Sequence, residues 1–125
     1  MSLPILIVDD SSSIRKMIEF TLRSKGYPVL AVEDGQAALE LLGREAIRLI
    51  ILDVNMPRLD GLSLLRLVRE HPEWGALPVL MLTTEDQPAD RERAMEIGAS
   101  DYLPKPFKPT QLLEYVAALL DPRSG

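Results

Sequence analysis

Carboxylates, hydroxyls and an amine are the groups here that can do chemistry, because the sequence has no cysteine and one histidine, His71. Disulfides, thiolate metal sites and a cysteine nucleophile are excluded, and histidine-based metal or triad chemistry is left with one ring. The informative acids are Asp9-Asp10 and Asp53, the hydroxyls Thr83-Thr84 before Glu85, and the amine Lys105 between Pro104 and Pro106. Singly, each has an ordinary explanation: an aspartate caps a helix, a threonine closes a strand, a lysine is solvated. Brought together they are harder to explain, since crowded carboxylates raise one another's pKa unless a cation intervenes. Oxygen-only ligands that leave room for water suit Mg²⁺, or Mn²⁺, better than zinc. With Lys105 as a point charge and Thr83 as a hydroxyl donor, the set could neutralise a phosphoryl group, so the chemistry indicated is phosphoryl transfer.

The elements that must position these residues alternate regularly. Apolar runs of strand length at 4–8, 28–32, 48–52, 78–82 and 101–103 alternate with stretches of helical period. Ser11-Ser12-Ser13 supplies caps for a first helix with Ile14, Met17, Ile18, Thr21 and Leu22 on its apolar face, Arg15, Lys16, Glu19 and Arg23 opposite, and Gly26 as its stop. Ala37, Ala38, Leu41 and Leu42 form the apolar face of a second helix, Gly61 opens a third, residues 88–97 suit a polar fourth, and Leu112, Leu113, Val116, Leu119 and Leu120 line a fifth. Strands and helices in alternation predict right-handed crossovers and a parallel sheet covered on both faces, a three-layer α/β sandwich. In such a sheet ligands bind beyond the carboxyl ends of the strands, and every residue singled out above follows a predicted strand.

Composition sets the outer limits. A chain of 125 residues is the size of one domain, expected here over 1–125 with a core of about 4–120. A formal charge of −5 gives no basic field for a nucleic-acid backbone or an anionic membrane. No apolar run reaches the ~20 residues needed to span a bilayer, and Met1 to Pro4 lack the layout of a signal peptide, so the expected location is the cytoplasm.

Asp9-Asp10, Leu52-Asp53-Val54-Asn55-Met56-Pro57 with Asp60-Gly61, Leu82-Thr83-Thr84-Glu85, and the run from Gly98 to Phe107 that contains Tyr102 and Lys105 together resemble the receiver domain of two-component response regulators. The resemblance covers nearly the whole chain and is greatest to the single-domain, chemotaxis-type members. It implies a flavodoxin-like, doubly wound (βα)5 fold with strand order 2-1-3-4-5. It also implies that Asp53 is the phosphoacceptor, taking a phosphoryl group from a phosphohistidine on a sensor histidine kinase or phosphotransfer protein. Asp10, Asp53 and the backbone carbonyl of Asn55 would hold Mg²⁺, with Asp9 acting through water, and Lys105 would pair with the phosphoryl group. Thr83 and Tyr102 would form a switch that carries the change to the face formed by the fourth helix, fifth strand and fifth helix and to an output protein not identifiable from sequence. A cis Lys105-Pro106 bond is implied as well. Ile14, Pro106 and Phe107 would form the kinase-docking rim, while Asn55 and Glu85 would tune dephosphorylation and match the fast-decaying type.

The chain departs from the best-known chemotaxis member at Val54, where that protein has tryptophan, so Trp74 is expected away from the site. A monomer, or a weak phosphorylation-dependent dimer, is expected, with no catalysis beyond the chain's own phosphorylation and dephosphorylation. Two alternatives stand beside this reading. One is a phosphatase of the haloacid dehalogenase type, against which Asp53-Val54-Asn55 lacks an acid two residues past the nucleophile. The other is a pseudo-receiver that binds partners without being phosphorylated.

Overall fold

A computed structural model describes residues 3–56, 59–84 and 88–120. Along the chain β1 (Ile5–Val8), α1 (Ser12–Arg23), β2 (Val29–Val32), α2 (Gly35–Leu42), β3 (Leu49–Asp53), α3 (Gly61–Glu70), β4 (Val79–Thr84), α4 (Pro88–Ile97), β5 (Asp101–Lys105) and α5 (Pro109–Leu120) follow one another. The strands are parallel, in the order β2-β1-β3-β4-β5. This is the doubly wound, flavodoxin-like arrangement.

The apolar runs become β1 and β3 because both faces of a central parallel strand are covered, and every residue of these two strands is buried. Side chains alternate between two cores. Leu6, Val8, Ile50, Leu52, Val79 and Met81 pack against α2, α3 and α4, while Ile5, Ile7, Leu49, Ile51, Leu80 and Leu82 pack against α1 and α5. The helix starts are fixed locally. Ser11 Oγ accepts the Ile14 N–H at 3.3 Å, Asp34 Oδ1 that of Ala37 at 2.9 Å, and Asp60 Oδ1 that of Ser63 at 2.8 Å. α5 starts earlier than its apolar pattern, at Pro109, and Gln111 reaches back to the Lys108 N–H at 2.9 Å.

Two strands run further than their apolar residues indicated. β4 continues through Thr83 and Thr84, and β5 through Pro104 and Lys105, the pairs Thr83–Pro104 and Thr84–Lys105 remaining in register. Pairing is a backbone property, and Pro104 is tolerated because β5 is an edge strand. Far from these strand ends, the Arg69 guanidinium ties α3 to two loops without a carboxylate. It donates to the carbonyls of Gly98 at 2.7 Å, Gly75 at 3.2 Å and Leu77 at 2.6 Å.

Gly61 shows how closely the backbone packs beneath the strand ends. A Cβ there would meet the carbonyl oxygen of Asp53 and come within 2.8 Å of Val54 Cα, so the glycine is required by close approach. Gly43 is the contrast, an αR residue whose added Cβ would find its nearest neighbour at 3.5 Å. Gly61→Ala is therefore expected to lower the urea midpoint by an amount equivalent to about 2–4 kcal/mol, while Gly43→Ala is neutral or raises stability by up to about 1 kcal/mol. Paired equilibrium unfolding curves check both, and equal effects would contradict the packing at Gly61.

Candidate functional site

Val8 pairs with Leu52, so the chain leaves the sheet at Asp9 beside Asp53, the last residue of β3. Lys105, the last residue of β5, closes the arrangement. Its Nζ lies 3.0 Å from Asp9 Oδ2 and 3.3 Å from Asp53 Oδ1. Asp10 joins them, since carboxylate oxygens of Asp9, Asp10 and Asp53 all lie within 4.8 Å of one another. Residues far apart in sequence thus meet at one sheet edge.

Their surroundings differ. Asp9 is fully buried and Asp53 is 5% exposed, whereas Asp10 is open to solvent. Asp9 Oδ1 accepts the Ser11 N–H at 2.9 Å, and Asp53 Oδ1 that of Asn55 at 3.4 Å. Burial, and after it the charge of Asp9, push the Asp53 pKa up to about 6, while the Lys105 charge and hydrogen bond and the Asn55 N–H act the other way. One ammonium facing three carboxylates leaves negative charge that a divalent cation would offset. An all-oxygen donor set with Asp10 accessible fits Mg²⁺ or Mn²⁺.

Thr83, 3% exposed, is one step past the Asp53–Leu82 pair on the neighbouring strand. Strand alternation puts Thr83 and Tyr102 on the side of the sheet covered by α4, away from Lys105. Half-buried Tyr102 packs against that core, and its hydroxyl accepts from the Arg91 guanidinium at 3.2 Å, whose carbon stands 4.9 Å from the ring centroid. Ile14 in the first turn of α1 and Phe107 just past β5 are half-buried against the other core, and Pro106, exposed, follows a cis peptide bond. Asn55 is exposed beside the cluster. Glu85 and Pro57 lie outside the described residues.

Arg15 lies opposite the apolar stripe of its helix, yet it is not simply solvated. Half-buried, it donates to the backbone carbonyl of Asp9 at 2.7 Å, so the loop carrying the acids is held at backbone and side chain together. No sequence period signals a bond from a helix back across its own leading loop. Trp74 stacks on His71, with ring centroids 3.6 Å apart, in the segment before β4 and so at the opposite edge of the sheet.

The family model described as "Response regulator receiver domain" matches residues 5–117. The transcriptional regulatory protein GltR of Pseudomonas aeruginosa is 43% identical over 93% of this chain and 48% of that protein. The response regulator MprA of Mycolicibacterium vanbaalenii is 41% identical over 96% of this chain and 51% of that protein. This chain thus spans about half the length of the curated relatives it matches. Among solved structures, the chemotaxis response regulator CheY4 of Vibrio cholerae superposes with a TM-score of 0.90 at 38% identity, covering 96% of this chain and all of that one. A response regulator structure from Chloroflexus aurantiacus gives 0.92 at 38% identity, covering 96% and 98%.

The raised Asp53 pKa has a measurable consequence in metal-free buffer. Below about pH 4 folded and unfolded chains both carry the protonated acid. As pH rises through about 6, the unfolded chain has released the proton and the folded chain bears a buried charge, so stability falls. Asp53→Asn is expected to stabilise the chelated protein by on the order of 1–3 kcal/mol at pH 7.5, the gain fading to nothing near pH 4. Denaturant midpoints of both proteins across that range check it, and a gain independent of pH would contradict it.

Proposed function

Because the chain belongs to the response regulator receiver family, we propose that it is a phosphorylation switch of two-component signalling in which Asp53 accepts the phosphoryl group. The observation that carries this reading is the position of the Lys105 ammonium between Asp9 and Asp53, at 3.0 and 3.3 Å, with Asp10 in the same cluster. A carboxylate oxygen of Asp53 attacks the phosphorus of a phosphohistidine in line, the P–N bond breaks, and the imidazole leaves with a proton from solvent. The product is an acyl phosphate on Asp53. Lys105, already beside that carboxylate, neutralises charge that develops on the phosphoryl oxygens, and the Thr83 hydroxyl donates to one of them. Mg²⁺, held by Asp10, Asp53 and the Asn55 carbonyl with Asp9 nearby, would supply further charge neutralisation and bring the Asp53 pKa down from about 6 into its nucleophilic form.

Output follows from the same hydroxyl. Drawing Thr83 toward the phosphoryl group alters the α4 side of the sheet, where Tyr102 rests against the core under Arg91. The partners in this reading are a histidine kinase or phosphotransfer protein, docking over Ile14, Pro106 and Phe107, and an output protein or domain. The chain turns over no separate substrate, since its nucleophile is regenerated only by hydrolysis of its own acyl phosphate. Among the described residues no helix is long and apolar enough to cross a membrane, and the proposed location is the cytoplasm.

Acetyl phosphate with Mg²⁺ is expected to add one phosphoryl group per chain, seen by intact mass, and Asp53→Ala abolishes it. Labelling that survives in Asp53→Ala, or turnover of added phosphomonoesters, would overturn the assignment, the latter favouring a phosphatase. Mg²⁺ at 10–100 times its Kd is expected to stabilise the fold by about 1–3 kcal/mol, and Asp10→Asn removes that response.

The lifetime of the phosphoryl group gives a further test. Water must approach in line past Asn55, an exposed residue whose backbone N–H donates to Asp53 Oδ1. Asn55→Met, an apolar group in that path, is expected to slow phosphate release about threefold or more with Mg²⁺ affinity unchanged. Equal decay rates would remove Asn55 from the hydrolytic step.

A further inference from the structure

Thr84 is the last residue of β4 and pairs in register with Lys105. Its Oγ1 is sealed from solvent and has no hydrogen-bond partner, the one side-chain polar atom in that condition among the described residues. Strand alternation sets Thr84 on the side of the sheet that holds Leu80 and Leu82 on its own strand and Leu103 on β5. The same alternation carries β1 from Ile5 and Ile7 to Asp9, β3 from Leu49 and Ile51 to Asp53, and β5 from Leu103 to Lys105. The unpartnered hydroxyl and the charged cluster therefore share one face at one sheet edge, whereas Thr83 lies on the other face.

A buried hydroxyl without a partner destabilises the fold, and a valine would fill nearly the same volume without that cost. Lys105 spends its short contacts on Asp9 and Asp53 and leaves Thr84 unpaired. Oγ1 lacks an acceptor oxygen within reach, and a phosphoryl group on Asp53 would bring three oxygens to that edge. We propose that Thr84 is a second hydroxyl of the phosphoryl pocket, donating to an oxygen of the group bound at Asp53 from the face opposite Thr83. The proposal rests on the phosphoacceptor reading of Asp53 and makes the pocket two-sided, with Lys105 and Thr84 on one side and Thr83 on the other.

The test compares wild type, Thr84→Val, which keeps the shape and removes the hydroxyl, and Thr84→Ser, which keeps the hydroxyl. The probe is beryllofluoride with Mg²⁺, a stable mimic of the acyl phosphate, read alongside thermal unfolding without ligand. Thr84→Val is expected to melt at or above wild type yet bind beryllofluoride about three- to tenfold more weakly, while Thr84→Ser stays within twofold of wild type. A merely structural role would move stability and affinity together. Should valine crowd the strand end, Thr84→Ala against Thr84→Ser makes the same comparison of hydroxyl absent and present. If wild type binds and the variants lacking the hydroxyl bind equally well, Thr84 has no part in the pocket. If wild type itself neither binds beryllofluoride nor is labelled at Asp53, the phosphoacceptor reading fails, and this assignment with it.

Discussion

One ammonium group set between two buried carboxylates is the constraint on which the site depends. Asp9 and Asp53 are almost wholly removed from water, and such acids stay together in their charged forms only with a cation in contact. Lys105 supplies it from the end of an edge strand, 3.0 Å from one and 3.3 Å from the other. The compensation is partial, as the Asp53 pKa of about 6 shows. That residual imbalance leaves the site in want of positive charge, which a divalent cation would supply.

The rest of the molecule serves to hold that arrangement. Fully buried strands β1 and β3 fix where Asp9 and Asp53 emerge, and their aliphatic side chains give both cores no polar alternative to pack against. The loop after β1 is held by Ser11 and Arg15, and the backbone under Asp53 by the absence of a side chain at Gly61. A displacement of any of these would change distances at the cluster, where a few tenths of an ångström separate a charged hydrogen bond from a simple approach of charges.

How much could be read without coordinates depended on whether the signal was local. The apolar runs announced β1 and β3 because burial on both faces demands them, and the alternation of strands and helices announced the layers and the edge where Asp9, Asp10, Asp53 and Lys105 meet. The ends of β4 and β5 were hidden, since Thr83, Thr84, Pro104 and Lys105 break the apolar pattern while the backbone goes on pairing. Hidden too were the bonds between distant or oddly spaced residues: Arg15 to the Asp9 carbonyl, and Arg91 over Tyr102. Nor does sequence distinguish adjacent aspartates, although Asp9 is enclosed and Asp10 open to water.

The Arg69 clamp has a mechanical consequence. It grips the carbonyl of Gly98, immediately past α4, and through Gly75 and Leu77 ties that point to the body of the domain, while along α4 itself only Ala94 is buried. A helix pinned at one end and lightly seated elsewhere is a lever with its fulcrum at the pin. With ten residues α4 is about 15 Å long, so a tilt of about 10° at the fulcrum carries its far end by about 2.6 Å. That far end is the one that follows Thr83 and Thr84 along the chain, so any such tilt has its longest travel beside the charged sheet edge and its least where the helix rejoins the sheet.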